Sequence, residues 1–312
     1  MSTAKTRDFT VALEKKSVLL SEQLSKLGSV IVAYSGGVDS ALLAFYARQV
    51  LGNDAKIVIA ISPSLAQAEL LAARKQAELF HFDLIEIATH EVDLGQYRRN
   101  DNMRCFFCKS TLFEYLQQMK EKLSVNAIAY GANMDDLDDL RPGHQAAANY
   151  NVLAPLLDSG LYKVEIRALA EAHGLPSYDR PQAACLSSRF PQDVYINQER
   201  LALIDQAEEA VRALGFRQVR VRFRENNGEA VIRPEIALAG PFATVEIGAD
   251  ELAVLESRPE IVELIENSLR QFGFTIVYVD RRGYQQGGAD KAASTNFIGV
   301  SIEGRQTGSS RG

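Results

Sequence analysis

Six consecutive residues, Ser35-Gly36-Gly37-Val38-Asp39-Ser40, lie between a short apolar run and a segment of helical periodicity. In that setting two glycines let the backbone approach a ligand closely, and the following helix offers unpaired N–H groups and the positive end of its dipole. The chemistry this suits is the holding of a phosphate. Hydroxyls of Ser35 and Ser40 can add hydrogen bonds, and Asp39 can cap the helix or hold a magnesium ion that bridges phosphates. The loop lacks the Gly-x-x-x-x-Gly-Lys-Ser/Thr form of a Walker A site. Two glycines alone would equally serve a plain tight turn, so the rest of the chain has to decide between the two.

Three cysteines, Cys105, Cys108 and Cys185, form a second constellation. An odd number cannot close a disulfide framework and suits a reducing compartment. Cys105 and Cys108 open a predicted helix at Cys-x-x-Cys spacing, where the positive helix end favours thiolate ligands. A structural zinc would want a fourth ligand, with His144 the nearest candidate, whereas three thiolates can hold three corners of a cubane iron–sulfur cluster. Three unrelated core thiols are the plain alternative. Elsewhere, Asp135, Asp136, Asp138 and Asp139 follow a strand end, where Asp136 could hold magnesium or the cluster could orient Arg141; a solvated acidic turn is the other reading. Arg220 and Arg222 are two apart on a predicted strand, so both leave one face and could fork around a phosphate or carboxylate. Arg224 continues that row.

The elements that must carry these residues alternate. Apolar runs at 29–34, 56–61, 83–88 and 125–130 read as strands covered on both faces, and 41–51, 65–80 and 109–123 carry helical spacing. That order predicts an α/β fold with a doubly wound parallel sheet, whose ligands belong at the carboxyl ends of the strands. A further helix at 163–173 ends at Gly174, and Pro176 and Pro181 follow as linker signals. We place a domain boundary after residue 190 and a smaller α+β module over 191–285. In it we expect helices at 198–214, 250–255 and 260–272 and strands at 218–223, 229–233 and 274–279. Residues 286–312 are rich in Gly, Ser and Gln and read as a flexible tail with a short strand at 297–302.

At 312 residues, 46% hydrophobic and 24% charged, the composition is that of an ordinary globular protein. The net charge of −6 counts against a broad grip on nucleic acid. No apolar run reaches the roughly 18 residues of a membrane span, and the opening 16 residues lack a signal-peptide core, so cytoplasm is the expected compartment.

The complete hexapeptide after an apolar strand resembles the PP-loop signature of the N-type ATP pyrophosphatases. Further blocks, Cys105-Phe-Phe-Cys-Lys109, Gly131-Ala-Asn-Met-Asp-Asp136, Arg141-Pro-Gly143, Lys163-Val-Glu-Ile-Arg167 and Pro181-Gln-Ala-Ala-Cys-Leu-Ser-Ser-Arg189, look like those of the LarE family. LarE proteins are sulfur transferases that make the thio ligands of a nickel-pincer nucleotide from pyridinium-3,5-biscarboxylic acid mononucleotide. The resemblance implies an adenine nucleotide alpha hydrolase-like fold, carboxylate adenylation with ATP and magnesium, then sulfur insertion, in a homo-oligomer. It implies nucleotide contacts from Ser35 to Ser40, Ser62, Arg141 and Arg167, pyrophosphate contact by Lys163, a functional acid at Glu208, and phosphate-binding arginines at Arg220 and Arg222. It also implies a four-iron, four-sulfur cluster on Cys105, Cys108 and Cys185 with a transferable sulfide, or a sacrificial Cys185 that attacks the acyl-adenylate and gives up its own sulfur. The primary sulfur donor stays open.

Two departures change charge near the expected acceptor pocket: Val231-Ile232-Arg233 where the family reads Arg-Ile-Glu, and Gly283-Tyr284-Gln285-Gln286-Gly287-Gly288 where it reads Gly-Tyr-Arg-x-Gly-Ser. The acceptor could therefore differ while adenylation is kept. Other readings of the loop are a tRNA thiolase, an ammonia-using amidotransferase of the NAD synthetase type, and a non-catalytic nucleotide-binding regulator.

Overall fold

Val30, Ile31 and Val32 alternate between two cores, and that alternation sets the architecture of the first part of the chain. In a computed structural model, Val30 and Val32 join Ile57, Ile59 and Ala129 on one face of a sheet, while Ile31 joins Val58, Ile128 and Tyr130 on the other. Strands buried on both faces need no polar side, hence the near-continuous apolar runs. The structure describes residues 3–137, 142–181, 184–225, 241–285, 288–290 and 297–298.

The chain divides into two compact units, Met1–Ala184 and Cys185–Gly312; the boundary expected from sequence lies at 190. In the first unit the strands are β1 (Val30–Ala33), β2 (Ala55–Ile61), β3 (Ile85–Ala88) and β4 (Ala127–Tyr130). Its helices are α1 (Thr3–Leu27), α2 (Val38–Leu51), α3 (Gln67–Leu79), α4 (Gly95–Arg98), α5 (Arg104–Leu123), α6 (Pro142–Asn149), α7 (Pro155–Asp158) and α8 (Lys163–Ala172). All pairings are parallel, in the order β3-β2-β1-β4, with Val30 opposite Ala55 on one side and Ala127 on the other. Leu24, Leu43, Ala73 and Ile166, from α1, α2, α3 and α8, cover one face, and Phe113 and Ala146, from α5 and α6, cover the other. The parallel α/β sheet with helices on both faces is the one expected. Winding reverses beside β1, which puts a topological switch point, the usual ligand crevice, at the carboxyl ends of β1 and β4.

The second unit contains β5 (Val219–Arg224), β6 (Phe242–Ile247), β7 (Ile276–Asp280) and β8 (Phe297–Ile298), with helices α9 (Gln198–Arg212), α10 (Leu252–Ser257) and α11 (Pro259–Gln271). These strands form a mixed sheet, β5 antiparallel to β6, β6 parallel to β7, and β7 antiparallel to β8. Along α11, Ile261, Val262, Ile265 and Leu269 are buried, a helical stripe. Elements that were not expected are α1, whose opening is dense in charge, the shorter α4, α6 and α7, and β6. Every residue of β6 is buried, including Thr244 and Glu246, and those polar residues hide a strand from a hydrophobic pattern. The strand expected at 229–233, and most of the tail, lie outside the described residues. Among the described residues no helix is long and apolar enough to cross a membrane.

Because Leu24 is fully buried in the core beneath β1, Leu24→Ala should cost about 2–5 kcal/mol in urea unfolding.

Candidate functional site

At the end of β1 the chain turns through Gly36 at φ +76°, a backbone state that suits glycine. A Cβ there would stand 2.7 Å from the Cβ of Ala73. Gly37 then caps α2 in an extended conformation with no side-chain hydrogen bond to the helix. The first-turn N–H groups therefore face outward without a capping side chain. Ser40 is a strut of the loop: its hydroxyl donates to the Gly37 carbonyl at 3.0 Å and accepts from the Ser35 N–H at 3.1 Å. Gly131, just past β4, completes the crevice, since a Cβ there would meet Ser40 N at 2.8 Å and the Asp39 carbonyl carbon at 3.0 Å.

Asp39 does not cap α2. Its carboxylate pairs with Lys163 Nζ and accepts from Asn133 Nδ2 at 3.2 Å. Lys163 opens α8, and its own N–H donates to Asp135 at 2.6 Å. Asp136 accepts the N–H of Asn133 at 3.0 Å, so the acidic turn holds the elements that carry Lys163 and Asp39. Arg141, Asp138 and Asp139 lie outside the described residues.

Two cavities flank the loop. One, of about 120 Å³, is ringed by Gly37, Asp39, Glu69, Lys163, Arg167 and Arg180, three cations against two carboxylates beside the open helix end. The other, of about 260 Å³, is walled by Val58, Ile59, Leu65, Lys109 and Tyr130 beside Ser35, and suits a flat apolar group. A basic subsite and an apolar one on either side of a phosphate cradle match the two ends of a nucleotide. Burial pushes the Tyr130 phenol up to about 12, with Asp136 and Asp158 adding to the effect, so it stays neutral, and its hydroxyl shares a 2.8 Å hydrogen bond with His144 Nδ1. Lys109 Nζ lies 4.8 Å from the centre of the Tyr130 ring. Ser62, expected near the adenosine, shares a 2.8 Å hydrogen bond with Ser64, which in turn donates to the buried Glu91. Arg167 donates to the backbone carbonyls of Tyr178 and, at 3.0 Å, Arg180.

Cys105 and Cys185 are exposed and Cys108 is half-buried, so the reading as core thiols fails. Cys105 and Cys108 lie one turn apart at the start of α5, in the first unit, and Cys185 is the first residue of the second. Neither unit by itself supplies three thiols. Among the described residues no three His, Cys, Asp or Glu side chains gather into a group that could hold a metal ion. Within either unit the expected cluster therefore has two of its cysteines or one, and nothing there supports it.

In the second unit Glu208 is fully buried. Arg189 grips it with two bonds of 2.7 and 3.0 Å, Arg212 adds one of 2.7 Å, and the Val221 N–H a fourth of 3.1 Å. Burial alone would raise this carboxyl, but Arg189, with help from Arg220 and Arg212, holds it below the usual carboxylate range. Arg189 also donates to the Cys185 carbonyl at 3.0 Å. Glu208 therefore anchors the turn that carries Cys185. Arg220 and Arg222 share one buried face of β5; Arg222 pairs with Glu246 at 2.8 Å and donates to the carbonyls of Ser188 and Gln285. Burial pulls Arg220 down to about 10, with Arg189 adding its charge. Arg224 donates to the carbonyls of Gly288 and Ala289.

No protein-family model matches the chain. An uncharacterized protein of Synechocystis, slr1717, is 37% identical over 275 residues, which are 88% of this chain and 97% of that protein. The chain belongs to the same family as that protein. Pyridinium-3,5-bisthiocarboxylic acid mononucleotide synthase of Lactiplantibacillus plantarum is 27% identical over 276 residues, 88% of this chain and 94% of the synthase. An argininosuccinate synthase of Trichodesmium erythraeum is 28% identical over 170 residues, 49% of this chain and 42% of that enzyme.

Sequence reasoning passed over Glu69, Ser177 and Arg180 around the basic cavity, and Arg189 beside Cys185. Glu69 lies in the first turn of a helix, Ser177 and Arg180 in an irregular linker, so no period marked them. Arg189 did stand in a quoted block, and its burial was the missing fact.

Two expectations follow. Gly36→Ala should cost about 1–3 kcal/mol in urea unfolding because Ala73 must give way, whereas Gly37→Ala, whose added Cβ meets only Ser35 Oγ at 3.5 Å, should cost under about 1 kcal/mol. For Glu208 the sign is that of a depressed acid. Its stabilising effect is complete above the ordinary value of 4.5 and is lost as pH falls through the lower folded value. Glu208→Gln, which strands Arg189, should cost about 3–5 kcal/mol at neutral pH and flatten the acid limb of a circular-dichroism pH titration.

Proposed function

We propose that the chain is an ATP-dependent sulfur transferase that adenylates a carboxylate of a pyridinium nucleotide and replaces its oxygen by sulfur. The observation that carries this reading is the open α2 N-terminus set between a basic cavity and an apolar one. The synthase of L. plantarum, aligned along most of both chains, supports the substrate class.

In this reading the substrate carboxylate attacks the α-phosphorus of ATP, the bond between the α-phosphorus and the bridging oxygen breaks, and pyrophosphate leaves. The first-turn N–H groups of α2 and Lys163 stabilise the charge on the departing group. Asp39, Lys163's partner, has the oxygen chemistry magnesium prefers, and the ion would neutralise further phosphate charge. The acyl-adenylate then has AMP as a leaving group. Attack by the exposed Cys185 thiolate forms a thioester and releases AMP. Loss of the Cα proton and cleavage of the Cβ–S bond then yield a thiocarboxylate and dehydroalanine at position 185. No step is routed through an iron–sulfur cluster. The arginine pair Arg220 and Arg222 is the candidate grip on the substrate's phosphate, and a homo-oligomer acting in the cytoplasm belongs to the same reading.

The test is ATP, magnesium and pyridinium-3,5-biscarboxylic acid mononucleotide added to anaerobically purified protein. Pyrophosphate release should fall at least about 100-fold in Lys163→Ala, and the peptide carrying Cys185 should lose one H2S per turnover. No pyrophosphate with any carboxylate pyridinium nucleotide would sink adenylation. Turnover with an intact Cys185 and stoichiometric iron and sulfide would replace the sacrificial thiol by a cluster.

A further inference from the structure

The cations around the basic cavity are not equally committed. Lys163 is paired with Asp39, which also takes Asn133. Arg167 donates to the carbonyls of Tyr178 and Arg180, so it holds the linker in place. Arg180 is different: its guanidinium bonds Glu69 Oε2 at 2.6 Å, and the two side chains are 31% and 24% exposed. An ion pair this open to water is cheap to exchange. Both residues line the cavity, with Gly36 and Gly37. Ser177 lines it too. Its side-chain oxygen is buried and meets no hydrogen-bond partner among the described residues, although the residue is only 1% exposed. Buried hydroxyls normally have a partner, and an oxygen of a bound anion would supply one.

The wall is also built to hold its shape. Tyr34 donates to the Ala73 carbonyl at 3.1 Å and accepts from Gln76 Nε2 at 3.0 Å, while Gln76 Oε1 accepts the Ser177 N–H at 3.1 Å. Burial pushes the Tyr34 phenol up to about 12, which keeps it a donor. One hydrogen-bonded chain thus ties the end of β1, the helix carrying Glu69 and the linker carrying Arg180.

We propose that Arg180 and Ser177 are ligands of the phosphate tail of a nucleoside triphosphate, and that Glu69 is a competing anion that occupies Arg180 until polyphosphate displaces it. This rests on reading the loop as a pyrophosphate site. Glu69 sits in the first turn of α3, beside the cavity, where its carboxylate opposes a weakly charged anion and yields Arg180 only to one that carries several charges.

Titration calorimetry with inorganic pyrophosphate on the full-length protein, with and without magnesium, tests it. Arg180→Gln should weaken binding about tenfold, and Glu69→Gln should strengthen it several-fold without magnesium. In the Arg180→Gln/Glu69→Gln double variant that gain should disappear, because Glu69 acts through Arg180. Both side chains are partly exposed, so melting temperatures should stay near wild type. If Lys163→Ala weakens binding while Arg180→Gln does not, the inference is overturned and the loop reading stands. A gain that persists in the double variant replaces competition by simple repulsion, and a loss in Glu69→Gln seen only with magnesium makes Glu69 a metal ligand; either result overturns the proposal. Absence of pyrophosphate binding in the wild type overturns the inference and the loop reading together.

Discussion

A helix begun by glycine rather than by Ser, Asp or Asn leaves its first-turn N–H groups without a side-chain partner, and α2 begins this way at Gly37. Such an end costs stability unless something else meets it. Among the described residues no side chain caps it. Gly36 turns the chain against Ala73, Gly131 lets the end of β4 come up behind Asp39 and Ser40, and Ser40 turns its hydroxyl back into the loop. Three close approaches, each needing a missing Cβ or an inward hydroxyl, maintain one open helix end at the switch point of the sheet.

An open positive end beside Lys163, Arg167 and Arg180 would repel itself without counterions. Asp39 and Glu69 supply them from the first turns of α2 and α3. Both carboxylates sit where a helix dipole favours an acid, so each is stabilised twice, by the dipole and by its cation. The second unit meets its own charge problem by a different route. There Glu208 and Glu246 are buried with Arg189 and Arg222 in bonds of good geometry, and multiple hydrogen bonds offset part of the desolvation cost, with Arg222 Nε left without a partner among the described residues. Around the loop the Glu69–Arg180 pair stays exchangeable; the Glu208–Arg189 pair is fixed. The distinction is one of burial, since the residue types are the same.

That distinction also explains what could be read from sequence. The four parallel strands and the helices between them announced themselves by apolar period, and the loop by its glycines. Asp39 and Lys163, named separately as catalytic candidates, turn out to be partners. What stayed hidden depends on burial of charge. Thr244 and Glu246 made β6 read as polar, although Glu246 is buried because Arg222 meets it from the neighbouring strand. Glu208, named as a functional acid from the resemblance, has no exposure and four donors around it, a setting that sequence could not show. Arg180 was hidden for the opposite reason, standing in a proline-flanked linker with no period to mark it.

Gln285, an arginine in the resembled family, shows why a change of charge in sequence need not change a contact. Arg222 meets this residue through its backbone carbonyl at 2.9 Å, and the Gln285 N–H faces Glu246 at 3.3 Å. Both interactions belong to the main chain and are available to any residue with the same backbone. The Gln285 side chain points its amide at the carbonyl of Arg282. Arg222 is thus held in the same way whichever side chain stands at 285. The other change of charge, at Arg233, lies outside the described residues.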